Sequence, residues 1–394
     1  MIFNSLGSNY NFNFVLKALF TANNQSYLNQ LKVLLEKKYS GKVILTNKGR
    51  ESIEMALTSY PITYAVGITG FTCFAVFEAV VKSGRRPVFV DLEKNSLNFS
   101  ARTLKITLAK NPDLKIVLLQ NTLGFPCNLT EIEKACKKNN LILIEDLAHS
   151  AGTIYPNQRP AGTVGDFSAF SFSQDKMIDG VTGGALIIRN IGTLPLSKSF
   201  SDLSFREDLL NRFYPLLTYL IRKTYFIGAG KILHHILKTF NLLSQPMTSF
   251  TSVYKKLPPW NAALIRQQLE KLSDNIKHRQ KISLIYLKNL PPELTVLVDQ
   301  HSLELSSCVR FPVLVKNRAS LIQYLKTKGI YLSDIWYDGP IAPKKYLNQT
   351  NYKRGDCPIA EKIADQILNL PTHSNTNRKQ ALYISGEIKK WLLK

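Results

Sequence analysis

Apolar residues in the first half of the chain fall into short runs separated by amphipathic stretches. The runs are VILT (43–46), YAVGI (64–68), PVFVDL (87–92), KIVLLQN (115–121), LILIEDL (141–147), FSAFSF (167–172) and GALIIRN (184–190). They are short and rich in Val, Ile, Leu and Phe, which predicts strands. Stretches such as RESIEMAL (50–57) and LTEIEKACKK (129–138) between them have helical spacing. This alternation predicts βαβ units around a mostly parallel, seven-stranded sheet. Such sheets collect ligands at the carboxyl ends of their strands. Asp146 ends the run LILIED and Ser171 ends FSAFS.

The alternation stops near residue 195. Residues 200–256 have a helical and loop-like pattern, with one apolar stripe at Phe213, Leu216, Leu217, Leu220 and Ile221 and a second at Ile232, Leu233, Ile236, Leu237 and Phe240. Pro215 fits a first helical turn or a kink, and Gly228-Ala229-Gly230 fits a helix break. LIRQQLEKLSDNIKHRQKISLIYLKNL (264–290) predicts one long helix whose stripe lapses at Arg279 and Ser283. RFPVLV (310–315) is then expected as a strand and AEKIADQIL (360–368) as a helix. The pattern divides into a large domain over 1–256, with a basic helical insertion at about 200–256, and a smaller C-terminal α/β domain over 257–394.

Charge adds a second asymmetry. The 394 residues carry 51 Lys and Arg against 28 Asp and Glu, a net +23. Such a field attracts polyanions without choosing among nucleic acid, anionic lipid and phosphorylated small molecules. No zinc-finger, RRM or homeodomain pattern accompanies it, so no nucleic-acid partner is expected. Between Asp208 and Glu270 there is no carboxylate, while Arg212, Arg222, Lys223, Lys231 and Lys238 punctuate the stripes. Two readings stand for residues 209–245: packing in the core or at a dimer interface, which is preferred, and peripheral contact with an anionic membrane.

Five cysteines without CxxC spacing suit a reducing cytoplasm. The N-terminus has no basic leader and Lys17 interrupts its apolar stretch, so no signal peptide is expected. The histidines share no ligand spacing, and no metal site is expected.

Lys176 lies in SFSQDKMIDGVTGG (171–184), between an aromatic-serine strand and a glycine turn. A lysine becomes a nucleophile toward carbonyls when its amine is partly desolvated. Pyridoxal phosphate (PLP) adds three needs: a carboxylate for its ring nitrogen, a cradle for its phosphate and packing on its ring. Asp146 suits the first. Gly49, opening the RESIEMAL helix after VILT, suits the second through exposed backbone N–H groups, with Arg50 and Ser171 completing it.

The order of these blocks, with GRESIEMAL (49–57), GFTCFAVFEAVVKSGRRPVFVDLEKNSLNF (70–99), EDLAHSAGTIY (145–155), GTVGDFSAFSFSQDK (162–176) and NLPTHSNT (369–376), resembles the DegT/StrS family of PLP-dependent sugar aminotransferases, of fold type I. The resemblance implies Lys176 as the lysine joined to the cofactor, Asp146 as the ring-nitrogen partner, Ser171 as a phosphate ligand and His149 beside the ring oxygen. It implies an amino-acid donor, commonly glutamate, a keto-sugar acceptor, usually nucleotide-linked, and a homodimer. Where the family places an aromatic on the cofactor face, this chain has Cys73, leaving Phe71 or Phe74 as stacking candidates. Thr182 replaces a family Glu, and Gly49-Arg50-Glu51-Ser52 replaces the common Gly-Thr-x-Ala turn. The departures point to a divergent branch, with a non-catalytic regulatory protein as the alternative.

Overall fold

The computed structural model describes residues 1–189, 199–244, 253–332 and 336–394. Asn190 of the seventh predicted run and residues 245–252 of the basic insertion lie outside them. A short strand β1 (Ile2–Phe3) precedes helices α1 (Phe12–Phe20) and α2 (Ser26–Tyr39). There follow β2 (Lys42–Thr46), α3 (Gly49–Thr58), β3 (Ala65–Thr69), β4 (Thr72–Cys73), α4 (Phe74–Lys82), β5 (Pro87–Val90), α5 (Ala101–Lys110), β6 (Leu114–Gln120), α6 (Leu129–Lys138), β7 (Ile142–Asp146), β8 (Phe167–Ser171) and β9 (Gly184–Ile188).

All seven predicted strands join one sheet, ordered β2-β9-β8-β7-β6-β3-β5. The run from β5 to β8 is parallel, and β9 is antiparallel to both β8 and β2. Side chains alternate across it: on β6, Val117 and Leu119 join a core with α2, α5 and α6, while Ile116 and Leu118 join one with α3 and α4. Burying each such aliphatic chain contributes roughly 1.5–3 kcal/mol, which holds the helices on both faces.

Register decides where function can gather. Gln120 pairs with Asp146 and Asp146 with Ala169, so β6 and β7 end together and β8 runs two residues past them to Ser171. Ser171 and Thr46 both face Gly184, which brings the start of α3 to the same edge.

The basic segment forms α7 (Phe205–Thr224) and α8 (Ala229–Thr239), joined through Gly228 at φ +86°. Pro215 lies buried inside α7. Packing within the chain covers Ile221 and Leu237 but leaves Phe213, Leu220, Ile232, Ile236 and Phe240 exposed, so the two stripes are not core stripes.

The expected long helix is two, α9 (Pro259–Glu270) and α10 (Leu272–Asn289). Ile265 and Leu269 of α9 and Leu272 and Ile276 at the start of α10 pack with the sheet, whereas Ile282 and Tyr286 farther along α10 enter a second core, so the chain changes cores within α10. The lapse at Arg279 has a polar cause. Its buried guanidinium donates to Val309 O, Thr372 Oγ1 and Asn9 Oδ1. In the C-terminal portion, strand Arg310–Leu314 pairs antiparallel with Ile367–Pro371. Ile367 and Leu368, expected to end a helix, belong to that strand instead, and the helix stops at Gln366. β1 pairs with Ile330–Tyr331, tying the N-terminus to this portion.

Candidate active site

A cavity of about 480 Å³ opens at the shared strand edge. It brings together Lys176, Asp146, His149, Ser171, Gly49, Arg50 and Cys73. Its lining includes the cations Lys48, Arg50 and Lys176 and the carboxylates Asp146 and Asp175.

The cationic end is built on the start of α3, whose first N–H groups have no intrahelical acceptor and favour an anion. Glycine at 49 is a packing requirement: a Cβ there would lie 2.6 Å from Ser171 Cβ and 3.0 Å from Phe170 O. Glu51 reaches back to accept the N–H groups of Asn47 and Lys48 at 3.0 Å each, holding the turn. Lys48 and Arg50 both line this end. Burial, then the charge of Arg50, lowers the Lys48 pKa. Arg50 is anchored by Glu78 at 2.5 Å, and Ser171 Oγ meets Ser173 Oγ at 3.3 Å.

At the acidic end, Asp146 is buried at the tip of β7 with Oδ1 accepting the Ala148 N–H at 2.9 Å. Burial raises its pKa, against the pull of that N–H and of Lys176. A carboxylate in this setting is stabilised by a cation delivered to it. The preceding residue, Glu145, faces away from the cavity. It accepts N–H groups from Gly162, Val164 and Gly165 and pairs with Arg189, fixing the loop behind the site.

Lys176 Nζ lies 3.1 Å from His149 Nε2. The histidine tautomer follows from its other nitrogen: Nδ1 accepts the Leu123 N–H at 3.3 Å and faces the Tyr337 hydroxyl at 3.1 Å. The neutral ring therefore carries its proton on Nε2, the nitrogen nearest Lys176 Nζ, where it is available to an acceptor. Burial, then the charges of Lys176 and Arg310, holds the His149 pKa well below its usual value, so the ring is neutral. Gln120 Nε2 donates to the Tyr337 hydroxyl at 3.3 Å, closing a chain Gln120–Tyr337–His149.

The stacking expectation needs correction. Cys73 lines the cavity, but Phe74 does not, because its ring stacks on Tyr346 and Phe77. Phe71 is buried against Tyr337. The cavity lining includes the aromatic residues Phe170, Trp336 and Tyr337, and Trp336 lies parallel to His149 at 4.9 Å with Lys176 Nζ 4.8 Å from its centre. Sequence reading missed Trp336, Tyr337, Gln120 and Lys48. The adjacent aromatic pair after GIYLSDI was the available signal for the first two.

These residues suit PLP on their donor set alone. The cradle into which Gly49 fits, the buried carboxylate, the Nε2–H donor and the amine beside it match its phosphate, ring nitrogen, ring oxygen and carbonyl carbon.

Known proteins agree. The chain is 25% identical over 358 residues to a dTDP-4-amino-4,6-dideoxy-D-glucose transaminase of Shigella dysenteriae, covering 88% of this chain and 85% of that one. It is 26% identical over 333 residues to a GDP-perosamine synthase of Vibrio cholerae, covering 83% and 80%. A crystal structure of an aminotransferase from Brucella abortus superposes with a TM-score of 0.72 at 21% identity, over 97% of this chain and 96% of that one. The profile of the DegT/DnrJ/EryC1/StrS aminotransferase family spans residues 22–389, and the chain belongs to that PLP-dependent family.

Proposed function

We propose that this aminotransferase carries an amino group from an α-amino acid, glutamate first among the candidates, to the ketone of a nucleotide-linked sugar destined for a surface polysaccharide or secondary metabolite. The observation that carries the reading is the meeting of Lys176, Asp146 and His149 in a cavity with a cationic helix start at its other end. Both curated relatives described above are named for nucleotide-linked amino sugars, which supports the acceptor class.

Bound PLP supplies an electron sink for the carbon that loses and regains a proton. The start of α3, with Lys48, Arg50 and Ser171, holds the phosphate. Asp146 keeps the ring nitrogen protonated. His149 donates its Nε2–H to the ring oxygen, its orientation set by Leu123 and Tyr337. Lys176 Nζ moves the proton at the reacting carbon. The family resemblance adds a two-fold dimer, and five free cysteines suit a cytoplasmic setting.

The test supplies the holoenzyme with glutamate labelled on its amino nitrogen and a nucleotide-linked keto-hexose. Mass spectrometry of the sugar should show the label in a new amine. Label that passes to other keto acids and never to a keto-sugar would overturn the acceptor assignment while leaving the transaminase chemistry intact. A protein that binds PLP but releases no label to any acceptor would favour the regulatory alternative.

A further inference from the structure

A second region of the molecule has no part in this chemistry. Residues 1–35 and 209–269 contain no Asp or Glu, although they are far apart in the chain. The fold packs them together: Arg212 Nη1 on α7 donates to Leu19 O near the end of α1 and to Thr21 O just past it, and Phe12 of α1 meets Tyr219 of α7 at 5.9 Å between ring centres.

Both segments leave large apolar side chains in solvent. Phe12, Leu16 and Phe20 form an i, i+4, i+8 row on α1, and Phe20 is 78% exposed. Ile232, Ile236 and Phe240 repeat that spacing on α8, with Ile232 at 64% and Phe240 at 66%. Phe226, at 71%, and Ile227 extend the row into the turn before α8. On a helical wheel the α8 row spans about 80°, and Lys231 and Lys238 fall together on one flank of it.

Phe12 and Phe226 also stand at the rim of a second cavity of about 480 Å³, lined by Tyr219, Arg222 and Lys223 and by no carboxylate. Arg222 gives one nitrogen to Tyr10 O at 2.8 Å, while its buried Nε has no hydrogen-bond partner among the described residues. An apolar rim around a basic, incompletely satisfied recess matches a bilayer surface with anionic headgroups. A second copy is a poorer occupant. A two-fold axis through this face would set a patch holding Lys223, Lys231 and Lys238 against its own copy, and neither segment has a carboxylate to neutralise it.

We propose that α1, α7 and α8 form a docking face for an anionic membrane surface, with the Arg222–Lys223 recess receiving a lipid phosphate. The proposal goes beyond the reaction and does not depend on it.

Co-sedimentation of the PLP-loaded full chain with phosphatidylcholine vesicles, with and without phosphatidylglycerol, tests it. Binding is expected only to the phosphatidylglycerol vesicles, and should fall at least about tenfold when ~1 M salt shortens the screening length to about 3 Å. The triple variant Ile232→Gln, Ile236→Gln, Phe240→Gln and the triple variant Lys223→Glu, Lys231→Glu, Lys238→Glu should each lose binding while keeping transaminase turnover. Inorganic phosphate should compete only weakly, since it offers nothing to the apolar rows. No binding to anionic vesicles at low salt would overturn the proposal. So would equal binding to neutral vesicles, or conversion of a wild-type dimer to monomer by the apolar triple variant, which would mean that a second copy covers the face.

Discussion

Replacing Gly49 by alanine probes the phosphate cradle with a single carbon. The added Cβ would stand 2.6 Å from Ser171 Cβ, 2.9 Å from Ser171 Cα and 3.0 Å from Phe170 O, where ordinary contacts begin near 3.4 Å. Two of these three neighbours are backbone atoms of β8, an interior strand of the sheet bonded on both sides. The strand cannot yield, so the start of α3 must retreat by several tenths of an ångström or more. Overpacking of this kind costs about 1–3 kcal/mol, which a chain of this size survives. The retreat draws the helix N–H groups off the phosphate. Each hydrogen bond to a charged group contributes about 1.5–3 kcal/mol, so PLP affinity should fall by about ten- to a hundredfold per bond lost. Titration of apoenzyme with PLP, followed by absorbance, measures this. Titration with pyridoxal, which lacks the phosphate, is the control and should change little. Unchanged PLP affinity in Gly49→Ala, or an equal loss for pyridoxal, would refute the placing of the phosphate at α3.

Asp146→Asn should still bind PLP through the phosphate and Lys176 but lose turnover, because the ring nitrogen is no longer held protonated; near-normal rates would remove Asp146 from its role. Arg189→Met leaves the buried Glu145 carboxylate without its cation and should lower stability by about 3 kcal/mol, the low end for a broken buried pair because three N–H groups still serve Glu145; an unshifted urea midpoint would contradict this. Burial, then the Asp175 charge, pushes Asp179 up to about 7. A carboxyl that binds its proton more tightly folded than unfolded adds stability below pH ~4 that is lost as pH climbs through 7. The melting temperature should therefore fall over that window in the wild type and fall less steeply in Asp179→Asn, and identical slopes would show that Asp179 is not the group responsible.

Much of this site was legible because its parts are local. Asp146 and His149 follow one strand, Lys176 follows the next, and Gly49 opens the helix after the first, so each was marked by a strand end or a helix start. What escaped comes from tertiary closure. Tyr337 lies 188 residues from the His149 it meets, with Trp336 beside it, and the adjacent aromatic pair alone does not say where in the fold it closes. Phe74, one residue past Cys73, packs on Phe77 and Tyr346 and does not line the cavity. The change of core along α10, from Leu272 and Ile276 to Ile282 and Tyr286, coincides with the lapse of the stripe at Arg279, but the break between α9 and α10 at Lys271 leaves no local mark. The exposed rows on α8 were visible as amphipathic spacing, but spacing is the same for a helix that faces a core and one that faces lipid.

The account rests on Lys176 as the residue that joins the cofactor. Borohydride reduction of the PLP-loaded protein, followed by proteolysis and mass spectrometry of the peptides, tests it most directly. One phosphopyridoxyl group per chain is expected, carried by the peptide containing Lys176 and absent from Lys176→Ala. Label on any other lysine, Lys48 included, or a Lys176→Ala protein that is labelled as fully as the wild type, would contradict it.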